Sequence, residues 1–189
     1  MNRLALAGVA MLAFATCAHA QQAAPEPDGY RSENYRTPVP ATLRGARVVA
    51  TPEAEALWRA KAAVFIDVMP RAPKPPNLPA GTIWRDTPRS NIPGSIWLVD
   101  TGYGALAAPT EAYFRRGLAQ ASGGDTARPL VFYCQAQCWM SWNAAKRALS
   151  YGYSNVVWYP DGTDGWDGAH LPLVDAQPEP RPEEVAPAR

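Results

Sequence analysis

The sequence predicts an α/β fold in which a central parallel sheet carries helices on both faces. Three observations lead there. Short apolar runs alternate along the chain with segments of helical spacing. The runs are apolar throughout rather than apolar on alternate residues, which is the mark of strands buried on both faces. Strand–helix–strand alternation in turn calls for a parallel sheet covered by its own crossovers.

The elements follow in order. Thr51 stands as a helix cap, with Pro52 at the first helical position and Glu53 and Glu55 in the first turn, so a helix is expected from Pro52 to Lys61. The run from Ala62 to Val68 follows as a strand that ends near an acid, Asp67, and Ile96 to Val99 is a second run of the same kind. Pro109 to Ala121 has helical spacing, with Tyr113, Phe114 and Leu118 on one side, and Gly123-Gly124 stops it. A strand from Pro129 to Tyr133, a helix from Ser141 to Tyr151 ended by Gly152, and a strand from Asn155 to Tyr159 complete the alternation.

Segments outside this pattern are set apart by proline, 16 of whose 20 residues fall in Ala23–Pro40, Pro70–Pro93 and Pro172 onward. The expected organisation is a leader at 1–20, a Pro-rich N-terminal segment at 21–47, one folded domain at 48–173 and a disordered tail at 174–189. The leader reading rests on Arg3, the apolar run Leu4 to Ala15 and the Ala18-His19-Ala20 ending, the layout of a cleavable secretory signal. That run is shorter than the roughly 20 residues a membrane-spanning helix needs. Acylation at Cys17 is the alternative, and Phe14-Ala15-Thr16 is a poor match for it. Cleavage leaves no membrane segment, and a net charge of +1 without a basic stripe argues against nucleic acid.

Cleavage also leaves Cys134 and Cys138 as the only cysteines and His170 as the only histidine. Two thiols and one distant imidazole are too few for a closed zinc site, and nothing in the pattern calls for a cofactor. Cys134 sits where a buried strand turns into a helix. Ligands of parallel sheets bind beyond the carboxyl ends of the strands, where the next helix presents unpaired N–H groups. Those amides and the helix dipole are expected to favour the Cys134 thiolate, the nucleophile, with Cys138 as resolving thiol. Gln135, Ala136, Gln137, Trp139, Met140 and Ser141 would line the loop, with Asp67 and Trp166 beside it. Alternatives stay open: Cys134 as a small buried hydrophobe, a structural disulfide between the two cysteines, Asp67 as a turn cap, or Cu(I) held by two soft thiolates. Trp58, Trp97, Trp142 and Trp158 sit at core-like spacings, whereas Trp84, Trp139 and Trp166 are pocket candidates. Arg85 and Arg89 are possible anion contacts, and His170 reads as a surface residue.

Taken in order, several motifs resemble a rhodanese domain across Val48 to Leu173. They are Phe65-Ile66-Asp67-Val68, Ile92-Pro93-Gly94-Ser95-Ile96, Tyr133-Cys134 with its loop and helix, Gly152-Tyr153-Ser154-Asn155-Val156, Asp161-Gly162 with Trp166, and Leu171-Pro172-Leu173. The resemblance implies a rhodanese-like fold and sulfur-transfer chemistry. That family's loop usually carries an Arg soon after the Cys. None stands between Cys134 and Ser141 here, and Lys146 and Arg147 come late on the helix. The chain further resembles the exported CXXCW motif proteins of PQQ-dependent alcohol catabolism. This likeness rests on Glu26-Pro27-Asp28-Gly29-Tyr30, Pro38-Val39-Pro40, Cys134 to Trp139 and Tyr159 to Trp166, with three residues rather than two between the cysteines. It implies a periplasmic accessory of a quinoprotein dehydrogenase system, acting on a small sulfur compound or thiol. A non-catalytic accessory that binds partner or cofactor is the alternative.

Overall fold

The computed structural model describes residues 23–72, 75–83 and 88–181, so the expected leader, Trp84 and Arg85 lie outside the described residues. Five parallel strands form one sheet: β1 (Arg47–Val48), β2 (Val64–Asp67), β4 (Ile96–Trp97), β5 (Leu130–Tyr133) and β6 (Val156–Trp158), in the order β1-β6-β5-β2-β4. A separate ribbon pairs β3 (Arg89–Asn91) antiparallel with β7 (Val174–Ala176).

Alternation along the strands sorts the core into two layers. Ile66, Leu130, Phe132, Val156 and Trp158 face α2 (Ala108–Ser122) and α3 (Trp139–Ser150). Phe65, Val131, Tyr133 and Val157 face α1 (Thr51–Arg59) and α4 (Gly162–Gly168). Every residue of β5 is buried, as a central strand flanked by β2 and β6 requires. Full burial of each such apolar side chain contributes about 1.5–3 kcal/mol, and that term is what holds the loops at the strand ends in place. The expected α/β architecture, a parallel sheet with helices on both faces, is observed.

Differences from expectation have identifiable causes. Ala50, not Thr51, precedes the first helix. Thr51 lies inside it, and its hydroxyl is within 2.9 Å of the Tyr159 hydroxyl and donates to Asp161 at 3.2 Å. α3 starts at Trp139, two residues before Ser141. The tail expected to be disordered from 174 is ordered as far as 181. β7 pairs with β3, Tyr113 Oη donates to the Glu179 carbonyl at 2.9 Å, and Arg181 pairs with Asp100 at 2.9 Å. Proline prevents this stretch from forming a helix, but it leaves the carbonyls free to accept bonds from the body of the domain.

The Pro-rich segment before β1 is also fastened, as a strap along α3. The Arg31 amide donates to Asn143 Oδ1 (2.9 Å), while Asn143 Nδ2 donates to the carbonyls of Arg31 (2.8 Å) and Gly102 (2.9 Å). Trp142 Nε1 donates to the Thr42 carbonyl at 3.1 Å and Lys146 Nζ to that of Pro27 at 3.2 Å. Buried Asn143 is thereby fully engaged, as a polar group in a core must be. Gly102 lets this corner close: a Cβ there would lie 2.4 Å from Met140 Cβ. Among the described residues no helix is long and apolar enough to cross a membrane.

Candidate active site at the end of the central strand

β5 ends at Tyr133 and delivers Cys134 into a four-residue turn, and Cys138 then caps α3 with extended φ and ψ of −122° and 111°. The turn is closed by Gln137 at φ 54°, a left-handed conformation that costs a non-glycine residue free energy. Three donors hold its first carbonyl: the Thr163 amide (3.1 Å), the Thr163 hydroxyl (3.1 Å) and Arg89 Nη2 (3.0 Å) all bond to Cys134 O. Gln135 forms a bridge with Gly162, whose φ is 54° and whose hydrogen is needed: a Cβ there would lie 2.7 Å from Gln135 Cα and 2.8 Å from the Cys134 carbonyl carbon. The Ala136 amide donates to Asp164 Oδ2 at 3.2 Å. α4 and β3 together therefore fix the loop from outside.

Asp67 and Arg89 form the buried part of this clamp. The Asp67 side chain is fully enclosed. It accepts from Arg89 Nε at 2.8 Å and from the Met69 amide at 2.8 Å. Burial pushes the Asp67 carboxyl up, only partly opposed by the Arg89 charge and hydrogen bond and by the Met69 and Val68 amides. Burial also draws Arg89 down, but the attraction and hydrogen bond of Asp67, joined by Tyr133 and Cys134, raise it overall. The pair thus carries a large desolvation cost, offset by its mutual attraction and hydrogen bonds. Asp67 acts on the loop through Arg89 as well as capping its own turn, and Arg89, expected as an anion contact, is engaged with Asp67 and the Cys134 carbonyl.

The two thiols are shifted in opposite directions. Cys134 is fully buried, with Sγ 3.7 Å from the carbonyl oxygens of Gln135 and Cys138. Burial, then its hydrogen bond to Cys138 and the charge there, raise Cys134 well above an ordinary thiol, with Ser141 and the Gln135 amide opposing. Cys138, 3% exposed, is lowered to about 7. The hydrogen bond from Cys134 is the largest cause; burial opposes it, and the Met140 amide, the Arg36 charge and the Gln135 amide add to it. Of the two, Cys138 is the thiol shifted toward the thiolate, and it stands at the N-cap of α3. Five residues, 134–138, separate β5 from α3, so the positive end of the helix dipole lies at Cys138 rather than at the strand end.

Other expected residues fall as follows. Gln135 and Ala136 are half-buried and Gln137 is exposed, so they form the open side of the loop, while Met140 is buried against Gly102. The Ser141 hydroxyl donates to Cys138 O at 3.3 Å and accepts from Trp158 Nε1 at 3.1 Å. Trp139 Nε1 donates to the Thr37 hydroxyl at 3.1 Å, and its ring lines a recess of about 330 Å³ with Ala24, Pro25, Tyr30 and Arg31. Trp166 is a core residue rather than a pocket wall. It is fully buried, packs edge-on against Trp58 at 5.5 Å and donates to the Pro172 carbonyl at 2.9 Å. Arg147 is spent on the carbonyls of Thr101, Tyr103 and Gly104, and Lys146 on that of Pro27, so neither reaches the loop. His170 is exposed just after α4.

Both thiols are free, and among the described residues no three His, Cys, Asp or Glu side chains gather to hold a metal. A larger recess of about 690 Å³, lined by Trp58, Arg59, Lys61, Phe65 and Arg128, opens near Val64 at the start of β2. It lies at the opposite end of the sheet from the cysteines. Sequence reasoning singled out Gly162 only as part of a motif, not as the contact of the Cys134 turn, and missed the anchor Thr163 and the strap contacts, because each comes from a segment remote in sequence from the cysteines.

Two solved structures are similar to the chain. One is the polysulfide-sulfur transferase homodimer from Wolinella succinogenes, 17% identical over 70% of this chain and 81% of that one, with a TM-score of 0.43. The other is the human single-domain sulfurtransferase TSTD1, 24% identical over 65% of this chain and 96% of that one, with a TM-score of 0.40. Neither likeness bears on substrate or mechanism. No curated protein shows significant sequence similarity. Residues 51–169, more than half of the chain, match the family described as the rhodanese-like domain. The chain belongs to the rhodanese-like domain family.

Proposed function

We propose that this protein is a dithiol enzyme of sulfur transfer or thiol–disulfide exchange in which Cys138, rather than Cys134, makes the first attack. The observation that carries the reading is placement: Cys138 stands at the N-cap of α3, whereas Cys134 is fully buried with its Sγ 3.7 Å from the carbonyl oxygens of Gln135 and Cys138, and the opposite shifts of the two thiols agree with this. Thiolates, not thiols, attack sulfur. With a persulfide donor, the Cys138 thiolate bonds to the outer sulfur, the donor's S–S bond breaks, and the donor departs as a thiolate. With a disulfide, the same attack forms a mixed disulfide and expels one thiolate. Cys134 then gives its proton to solvent and attacks Cys138 Sγ. This closes the Cys134–Cys138 disulfide and releases hydrosulfide in the first case or the second thiolate in the other. In both, the dithiol is oxidised by two electrons and the bound sulfur species is reduced by two.

Mass spectrometry of reduced protein after exposure to thiosulfate or a persulfide donor tests this. A gain of one sulfur atom on Cys138 in a Cys134→Ser variant, and loss of two hydrogens in the wild type, are expected. Absence of both excludes the chemistry.

The leader-like residues 1–20 and the CXXCW-type motifs support an exported, periplasmic setting beside a quinoprotein dehydrogenase system. One observation favours a second reading: both sulfurs are enclosed, at 0% and 3% exposure, as in a protein that only binds a partner or cofactor. A strain carrying Cys134→Ser and Cys138→Ser that grows normally on alcohols, where a deletion strain fails, would select that reading.

A further inference from the structure

We propose that Arg36, carried on the N-terminal strap, is the anion contact of the Cys138 site, and that the site therefore selects sulfur substrates with a negative charge beside the reacting sulfur. This rests on the reading of Cys138 as the attacking thiolate. The loop 134–141 contains no cation of its own. Neighbouring cations are committed elsewhere: Arg89 to Asp67 and the Cys134 carbonyl, Arg147 to three carbonyls around Thr101, and Lys146 to Pro27. Arg31 donates to the Glu33 carbonyl and lies over the Trp139 ring at 5.3 Å.

Arg36 is different. Its backbone is pinned on both sides to the residue after Cys138: the Tyr35 carbonyl accepts from the Trp139 amide at 2.9 Å, and the Thr37 hydroxyl accepts from Trp139 Nε1 at 3.1 Å. Its side chain is exposed and makes no hydrogen bond or ion pair among the described residues. Its charge is nonetheless felt at Cys138, where it helps to lower the thiol. The nearest acid of the loop, Asp164, is taken by the Ala136 amide, and the Glu33 side chain is exposed on the strap. An uncommitted guanidinium at the edge of a thiolate site suits a carboxylate, sulfonate or thiosulfonate group on the incoming sulfur compound.

The test uses two alkylating reagents of nearly equal size, iodoacetate and iodoacetamide, which differ in charge at the end remote from the reacting carbon. Both must pass the same cover over Cys138, so the ratio of their rate constants on the fully ionised thiol isolates the contribution of charge. In full-length reduced protein, Arg36→Gln is expected to lower the iodoacetate-to-iodoacetamide ratio about fivefold, the size of one charge pair a few ångströms apart in near-aqueous surroundings. Arg36→Lys should largely restore the ratio. Arg36→Glu should depress it further, and added salt should move the wild type toward Arg36→Gln. An unchanged ratio in Arg36→Gln overturns the assignment while leaving Cys138 as the nucleophile. If neither reagent modifies Cys138 at any pH, the nucleophile reading and the anion contact fall together.

Discussion

Replacing Cys134 by alanine removes the donor that contributes most to the low pKa of Cys138 while leaving the α3 amides in place. Wild-type alkylation should rise with pH through an inflection at about 7. Without the donor, the inflection should move toward the ordinary thiol value of about 8.5. At neutral pH the ionised fraction then drops from about a half to about 3%, roughly fifteenfold. The more basic thiolate is also the better nucleophile, by about fivefold over that interval, so the observed rate near pH 7 should fall only about threefold. The inflection, not the rate, is therefore the decisive readout, followed by iodoacetamide labelling or by thiolate absorbance in the ultraviolet. Cys134→Ser keeps a donor in place and should hold the inflection near the wild-type value. An inflection that stays near 7 in the alanine variant would refute the reasoning, because the amides would then suffice alone. A wild-type inflection at the ordinary thiol value would refute it more deeply.

Arg89→Met should destabilise the fold by about 3–5 kcal/mol by stranding the enclosed Asp67 carboxylate, seen as a lowered denaturation midpoint; Asp67→Asn in the same background should recover much of that loss. Gly162→Ala should lower the midpoint and slow Cys138 labelling together, since the new Cβ meets the backbone of Cys134 and Gln135 and the required φ of 54° disfavours a side chain. Cys138 has a depressed folded pKa, so its ionisation contributes stability that is present above about pH 8.5 and lost as pH falls through about 7. Cys134 is shifted upward and acts oppositely above the ordinary thiol value, so the stability of reduced protein relative to the double serine variant should rise between about pH 7 and 8.5 and then turn down. A difference that never rises below about pH 8.5, or that keeps rising above it, would contradict the assignment.

The sheet was legible in the sequence because its strands are buried on both faces and so carry uninterrupted apolar runs. Leu130 to Tyr133 could be placed for that reason, and Val64 to Asp67 and Val156 to Trp158 differ from the expected runs only at their ends. β1, β3 and β7 were not legible. Each is only two or three residues long and is defined by its partner rather than by its composition, as the Arg89-Ser90-Asn91 pairing with Val174 to Ala176 illustrates. The ordered stretch up to Arg181 escaped for the same reason. Its proline content excludes helix, but nothing local announces that Tyr113 and Asp100 bind its carbonyls and its arginine.

The site was half legible. Both cysteines, the loop and the helix that follows can be read from the chain, but the strand end favours Cys134 as the attacking sulfur and the N-cap position favours Cys138. A strand-end cysteine is usually adjacent to the helix start, and the amides that stabilise its anion are then its own neighbours. Here Gln137 takes a left-handed turn and the helix begins only at Trp139, so the N-cap position falls to Cys138. Spacing alone contains this information if it is used: four residues after a strand leave room for a turn, and the residue at its end inherits the N-cap. The cations are a different matter. Arg89 lies 45 residues before Cys134, and its bond to the Cys134 carbonyl depends on the whole β3–β7 ribbon being folded. Arg36 is carried beside the loop because two hydrogen bonds seat its neighbours Tyr35 and Thr37 against Trp139. A loop without a cation in its own sequence can therefore sit in a site that has two, and the charge of such a site has to be counted in space rather than along the chain.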